Sequence, residues 1–201
     1  MGAKSVSRGT WITILVLSLL VIDQVIKVLV KTNMSIGESI DVFGNWFKIC
    51  YVENEGMAFG MKFGGAVGKY FLTTFRLVIA GALIWWISRL VKSDKNPSEG
   101  HRHVPTGVLV GLSMILAGAI GNIIDCLFYG VIWGEAPFML GRVVDMFYFP
   151  IIDTTFPEWM PAIGGRPFKF FTAIFNFADS CVTCGALYLI FFQYSYFAGR
   201  K

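Results

Sequence analysis

Four apolar stretches, residues 11–30, 70–91, 104–128 and 170–197, dominate the chain, each about as long as the roughly 20 residues that cross a bilayer as a helix. Lipid offers the backbone no hydrogen-bond partner, so such a stretch must fold as a helix that closes its own bonds. At 55% hydrophobic and only 15% charged residues, with a mean hydropathy of +0.63, the 201-residue chain is far too apolar for a soluble domain. The expectation is a single membrane domain over residues 1–201, all-α, with four transmembrane helices. Residues 11–30 exceed the h-region of a signal peptide and no Ala-x-Ala-like site follows, so they read as an uncleaved span.

Charge sets the expected topology. The N-terminus, the connection from Arg89 to His103 and the C-terminal tail hold eight Lys/Arg against two acids. The longer segments 31–69 and 129–169 hold seven against eight. Positive charge favours the cytoplasmic side, which places both termini inside and both long segments outside. Within the first outer segment, Ile40 to Tyr51 is β-branched and aromatic around Gly44-Asn45, the pattern of a small antiparallel sheet at the membrane surface. Small residues recur in the third stretch at Gly107, Gly111, Ala117, Gly118 and Gly121, where they let helices approach closely.

Acids inside apolar stretches are costly and mark candidate functional sites. Asp23 stands four residues before Lys27, in the favourable order for an intrahelical pair. Asn122 and Asp125 share a helix face near the expected outer end of the third stretch, about 5 Å from its last residue. Asn176 and Asp179 share a face of the fourth, with Asp179 about 14 Å inward if that helix starts at Phe170. Between them, Gly141-Arg142-Val143-Val144-Asp145-Met146-Phe147-Tyr148-Phe149 reads as an extended segment carrying a third acid. Two carboxylates brought together in a low-dielectric site share a proton and can act jointly as acid and base on a water molecule. From the residues alone, Asp125 ranks above Asp145 as the partner of Asp179, because it lies more firmly on a helix.

Other chemistries find little support. The histidines, His101 and His103, fall in the expected cytoplasmic connection, away from an outer zinc site or a Ser/His pair, and no Gly-x-Ser-x-Gly elbow occurs. Cys181-x-x-Cys184 lies in an apolar stretch and reads as a pair of small buried residues. No basic stripe interleaved with aromatics points to nucleic acid. A proton- or ion-coupled transporter using Asp23, Asp125 and Asp179 as a relay is the alternative from another class, and a non-enzymatic scaffold the third.

Five segments in order resemble the bacterial lipoprotein signal peptidases, the type II signal peptidases. They are Asp23-Gln24-x-x-Lys27, Asn54-Glu55-Gly56-Met57-Ala58-Phe59, Gly121-Asn122-Ile123-Ile124-Asp125, Val143-Val144-Asp145 and Phe175-Asn176-Phe177-Ala178-Asp179-Ser180. Each is weak alone, and together they span nearly the whole chain. The resemblance implies an aspartyl endopeptidase of the inner membrane that cleaves prolipoprotein signal peptides before a diacylglyceryl-modified cysteine, needing no metal or organic cofactor. Its partners are then that lipid-modified peptide and membrane lipid, and the chain is taken as a monomer.

By the same resemblance Asp145 and Asp179 form the catalytic dyad. Asn122 and Asp125 support it, and Asn54, Gly56 and Ala58 line the substrate side. Asn176 holds the backbone or the dyad, and Asp23, Lys27 and Ala178 complete the supporting set. The sequence departs from the family pattern in two places. Cys126 stands where an arginine usually follows the Gly-Asn-x-x-Asp segment, and Arg142 is the suggested replacement guanidinium. The stretch from Asp125 to Asp179 is also enlarged, including residues 133–140 and 152–166, which read as surface loop or as a lid against lipid.

Overall fold

The computed structural model describes residues 7–55, 65–95 and 103–199. The chain divides into two compact units, one of Met1–Ile26, Glu55–Val143 and Phe177–Lys201, the other of Lys27–Asn54 and Val144–Asn176. The first is a helical unit and the second is built on strands. Helix α1, Arg8–Asn33, contributes residues to each.

The helical unit contains the start of α1, then α2 (Gly65–Lys95) and α3 (Thr106–Ile124). A π-helical turn, Asp125–Tyr129, and a short α4, Gly130–Ile132, extend α3. After the strands come α5 (Phe177–Phe192) and α6 (Tyr194–Phe197). Three of these stretches, Arg8–Asn33, Gly65–Asp94 and Thr106–Ile132, are long and apolar enough to cross a membrane, while Phe177–Phe192 is a shorter apolar helix. Apolar side chains such as Leu17, Val21, Phe71, Val78 and Phe191 point away from the protein, as lipid-facing surfaces require. Val104, Val108, Leu109 and Leu112 of α3 pack with Ile12, Val16, Ile87 and Leu189.

The expected small residues do bring helices together. A Cβ at Gly118 would overlap the carbonyl of Ala178, and Gly111 and Gly185 each face the other's backbone, so α3 and α5 meet nearly backbone to backbone. At the opposite end of these helices, Arg8 forms an ion pair with Asp94, which also accepts from His103 Nδ1 at 2.8 Å and from the Val104 N–H at 3.1 Å. The start of α1, the end of α2 and the approach to α3 are thereby tied together.

The strand unit contains more sheet than the sequence suggested. β1 (Ser39–Phe43) and β2 (Phe47–Asn54) pair antiparallel about the expected turn, with Gly44 at φ +50°. β3 (Val143–Tyr148) and β6 (Ile174–Phe175) complete a four-stranded sheet in the order β1-β2-β3-β6. Phe47, Phe147, Phe149 and Phe175 cluster across it, Phe149 stacking on Phe47 at 4.7 Å between centroids and on Phe175 at 5.7 Å. The enlarged segment after β3 is a separate hairpin of β4 (Ile152–Thr155) and β5 (Pro167–Phe170). In the rest of the unit, Lys31 Nζ donates to Glu53 at 2.5 Å and to Tyr51 at 3.2 Å, and the Tyr51 hydroxyl donates to Glu53 at 2.7 Å.

Two boundaries move. The fourth apolar stretch does not start as a helix at Phe170. Phe170 ends β5, residues 171–173 are irregular with Phe171 at φ +64°, Ile174–Phe175 form β6, and α5 begins only at Phe177. The third stretch does not end at Phe128, because the π turn carries it on to Ile132. Cys181 is buried as expected, but Cys184 is exposed, and both are free thiols.

Candidate active site

The acids and amides singled out in the sequence fall into two clusters, one in each unit. In the strand unit, Asp145 sits at the centre of Val143-Val144-Asp145-Met146, a run buried on both faces of an interior strand. Its side chain is only 3% exposed. The Asn54 amide, at the end of β2, donates to Oδ2 at 3.2 Å, and the buried Asn176 amide donates to Oδ1 at 2.6 Å. Register explains the second bond. Phe147 pairs with Phe175 and Tyr148 with Ile174, so Asn176 is the next residue along, beside Met146 and diagonal to Asp145. Each carboxylate oxygen therefore has an amide donor, the condition under which a buried carboxylate is tolerated.

In the helical unit, Asp179 lies half-buried in the first turn of α5. This corrects the depth expected from a helix starting at Phe170. A helix N-terminus favours negative charge because its first N–H groups have no partner within the helix. One of those donors, the Ala178 N–H, is taken by Asp23 Oδ1 of α1 at 2.9 Å, so a buried acid from another helix serves as a cap. Asn122 of α3 donates to Asp179 Oδ1 at 2.8 Å. The close approach at Gly118 and Gly121, where a Cβ would meet Ala178 and Asp23, makes that reach possible.

Asp125 belongs to the same unit and is fully buried, and it meets a different donor. Gln24 Nε2 lies 3.0 Å from Asp125 Oδ1, 3.1 Å from Asp23 Oδ2 and 3.3 Å from the Gly121 carbonyl, while Tyr129 donates its hydroxyl to Gln24 Oε1 at 3.1 Å. Asp125 is thus joined through Gln24 to the acid that caps α5. Its backbone lies in the π turn, a local widening common at functional sites.

Of the remaining expected residues, Lys27 is completely buried in the strand unit's part of α1, Arg142 is exposed, and Gly56 and Ala58 lie outside the described residues. Sequence reasoning passed over Arg76. It lies within α2, and its Nη1 donates to Cys126 Sγ at 3.3 Å. The available signal was an arginine inside an apolar span, a costly placement that marks function.

Long apolar helices mark the chain as a membrane protein, and the acids held by amides are groups able to give and take protons. Residues 15–195 match the family described as Signal peptidase (SPase) II. The chain belongs to the signal peptidase II family of membrane proteases. The lipoprotein signal peptidase of Porphyromonas gingivalis (strain ATCC 33277) is 44% identical over 198 residues, covering 91% of this chain and 82% of that protein. The lipoprotein signal peptidase of Amoebophilus asiaticus (strain 5a2) is 37% identical over 178 residues, covering 85% and 72%. A solved chain described as a bacterial membrane enzyme, determined by the in meso method, has the same fold, with a TM-score of 0.60, 24% identity and coverage of 94% and 91%.

Proposed function

We propose that this protease removes signal peptides from prolipoproteins by cleaving just before a diacylglyceryl-modified cysteine, with Asp145 and Asp179 as its catalytic dyad. The observation that carries the reading is the matched treatment of these two acids. Each has an oxygen held by an asparagine amide from a neighbouring element, Asn176 for Asp145 and Asn122 for Asp179. An amide donor orients a carboxylate without adding a countercharge, which suits a group that must exchange a proton. The two acids share a proton and hold a water molecule between them. One takes a proton from that water as it attacks the scissile carbonyl while the other gives its proton to the carbonyl oxygen; as the C–N bond breaks, the first passes its proton to the leaving amine and the second recovers one from a hydroxyl of the tetrahedral intermediate.

Asp125 takes a supporting role in this reading, since its Oδ1 accepts from Gln24 within the network that caps α5. Asp23, Lys27, Asn54 and Ala178 support the site from α1, β2 and the start of α5. Residues 1–201 form a single membrane domain in the bacterial inner membrane. α5 and α6 make up the fourth span, both termini face the cytoplasm, and the site opens toward the periplasm, where the charge distribution places the long segments. The signal peptide, itself an apolar helix, enters from the lipid, and the chain acts as a monomer.

The test is cleavage of a lipid-modified peptide by purified protein in detergent. Asp145→Asn and Asp179→Asn are each expected to abolish turnover, with losses on the order of 10⁴-fold or more, while thermal unfolding shows an intact fold. Activity in either variant removes that residue from the dyad. Asp125→Asn is expected to slow the reaction, and complete loss there would revive its pairing with Asp179. Cleavage in detergent with no ion gradient also separates this reading from a transporter.

A further inference from the structure

Between Lys69 and Arg89 the sequence has one basic residue, Arg76. It lies about 17 Å along α2 from Gly65, well inside an apolar span. A guanidinium at such a position faces protein or a water-filled cavity, because exposure to lipid is costly. Here it is half-buried, and Nη1 donates to Cys126 Sγ. Three residues earlier on the same face of α2, the buried Thr73 hydroxyl donates to the Met139 carbonyl at 3.3 Å. Met139 has φ +69°, and its segment folds back on the π turn through Met139 N–H to Leu127 O and Gly141 N–H to Cys126 O. This face of α2 therefore grips the turn that continues α3, and Arg76 brings a positive charge to the residue immediately after the fully buried Asp125.

We infer that Arg76 is a positioning residue for the proposed reaction, whose guanidinium balances Asp125 and so holds the C-terminal end of α3, with Asn122 and its bond to Asp179, in working geometry. The inference rests on the reading of Asp179 as catalytic. The departure from the family pattern at Cys126 is then a change of carrier, the charge coming from α2 instead of α3. Arg142, the replacement suggested by sequence, is not needed for that role.

Kinetics on a lipid-modified peptide test this. Arg76→Gln keeps an N–H donor for the thiol and removes the charge. It is expected to lower kcat on the order of a hundredfold with KM little changed, as a displaced catalytic group would. The exchanged protein, Arg76→Cys with Cys126→Arg, returns a guanidinium from the opposite helix at nearly constant volume and is expected to recover most of the lost kcat. Wild-type kcat in Arg76→Gln, or a folded exchanged protein no faster than Arg76→Gln, overturns the inference.

Arg76→Gln combined with Asp125→Asn removes both charges together, and it carries the test if the single variant does not fold. It is expected to be no slower than Asp125→Asn alone, and a further independent loss overturns the balance of charges. Asp179→Asn run alongside separates the two readings. Activity there refutes the dyad, whereas an inactive Asp179→Asn beside an unaffected Arg76→Gln refutes only the role of Arg76.

Discussion

Asp145 and Asp179 carry the same functional group in contrasting settings. Asp145 is buried in an interior strand, between Val144 and Met146, and accepts from two amides. Strand pairing determines its position, and a slip of one residue would turn the acid to the other face. Asp179 is half-buried in the first turn of a helix and accepts from Asn122. Close helix packing at Gly118 and Gly121 and the cap supplied by Asp23 determine its position. A strand acid thus depends on register and on neighbouring donors. A helix acid depends on how near the next helix can come, and receives additional support from the helix terminus itself.

Beyond the complete losses expected for the dyad, the amides give the sharpest contrast. Asn176→Ala removes a fully buried donor from a nearly fully buried carboxylate. It is expected to cost about 1–3 kcal/mol of stability and on the order of a hundredfold in kcat. Asn122→Ala should cost less in both, because Asp179 is less buried and keeps the favourable helix N-terminus. Equal effects in thermal unfolding and kinetics would break the comparison.

Gly118→Ala tests the helix side by packing alone. Its new methyl group meets the Ala178 carbonyl, so α5 must shift, at a cost of about 1–3 kcal/mol with a matching loss of activity. A stable, fully active Gly118→Ala protein would show that backbone contact does not set the position of Asp179.

The smallest expected effect lies in the strand unit and depends on pH. Burial, and then the hydrogen bond to Glu53, push the Tyr51 phenol up to about 12 against the opposing pull of Lys31. The folded protein then holds that proton more tightly than the unfolded chain, whose tyrosines titrate near pH 10. The stabilisation is complete below about pH 10 and is lost as pH rises toward 12. Tyr51→Phe is expected to flatten the fall in unfolding temperature across that window, and an unchanged slope would show that the phenol does not titrate with folding.

Much of the candidate site was legible as residue types and spacing. An acid in an apolar stretch is conspicuous because hydrocarbon tolerates it poorly, which singled out Asp23, Asp125 and Asp179. The segment read as extended, residues 141–149, contains β3 at Val143–Tyr148. The apolar run at 170–175 was misread as helix, since a short run of aromatic residues has no period that separates strand from helix. Arg76 has no acid near it in its own stretch, and the group it meets, Cys126, lies 50 residues away, so its spacing pointed to no partner.

The sequence by itself determined the membrane class and the long helices, because length and apolarity in lipid leave the backbone no alternative. It also supplied the acids and amides from which the family could be named. Only the tertiary structure decided which partner each group meets. Asn122 holds Asp179 from 57 residues away, Arg76 reaches Cys126 across 50, and Asp23 caps the helix at Ala178 across 155. Such contacts depend on where small residues let helices touch and on the register in which strands pair. Those are properties of pairs of elements, which no single stretch of sequence specifies.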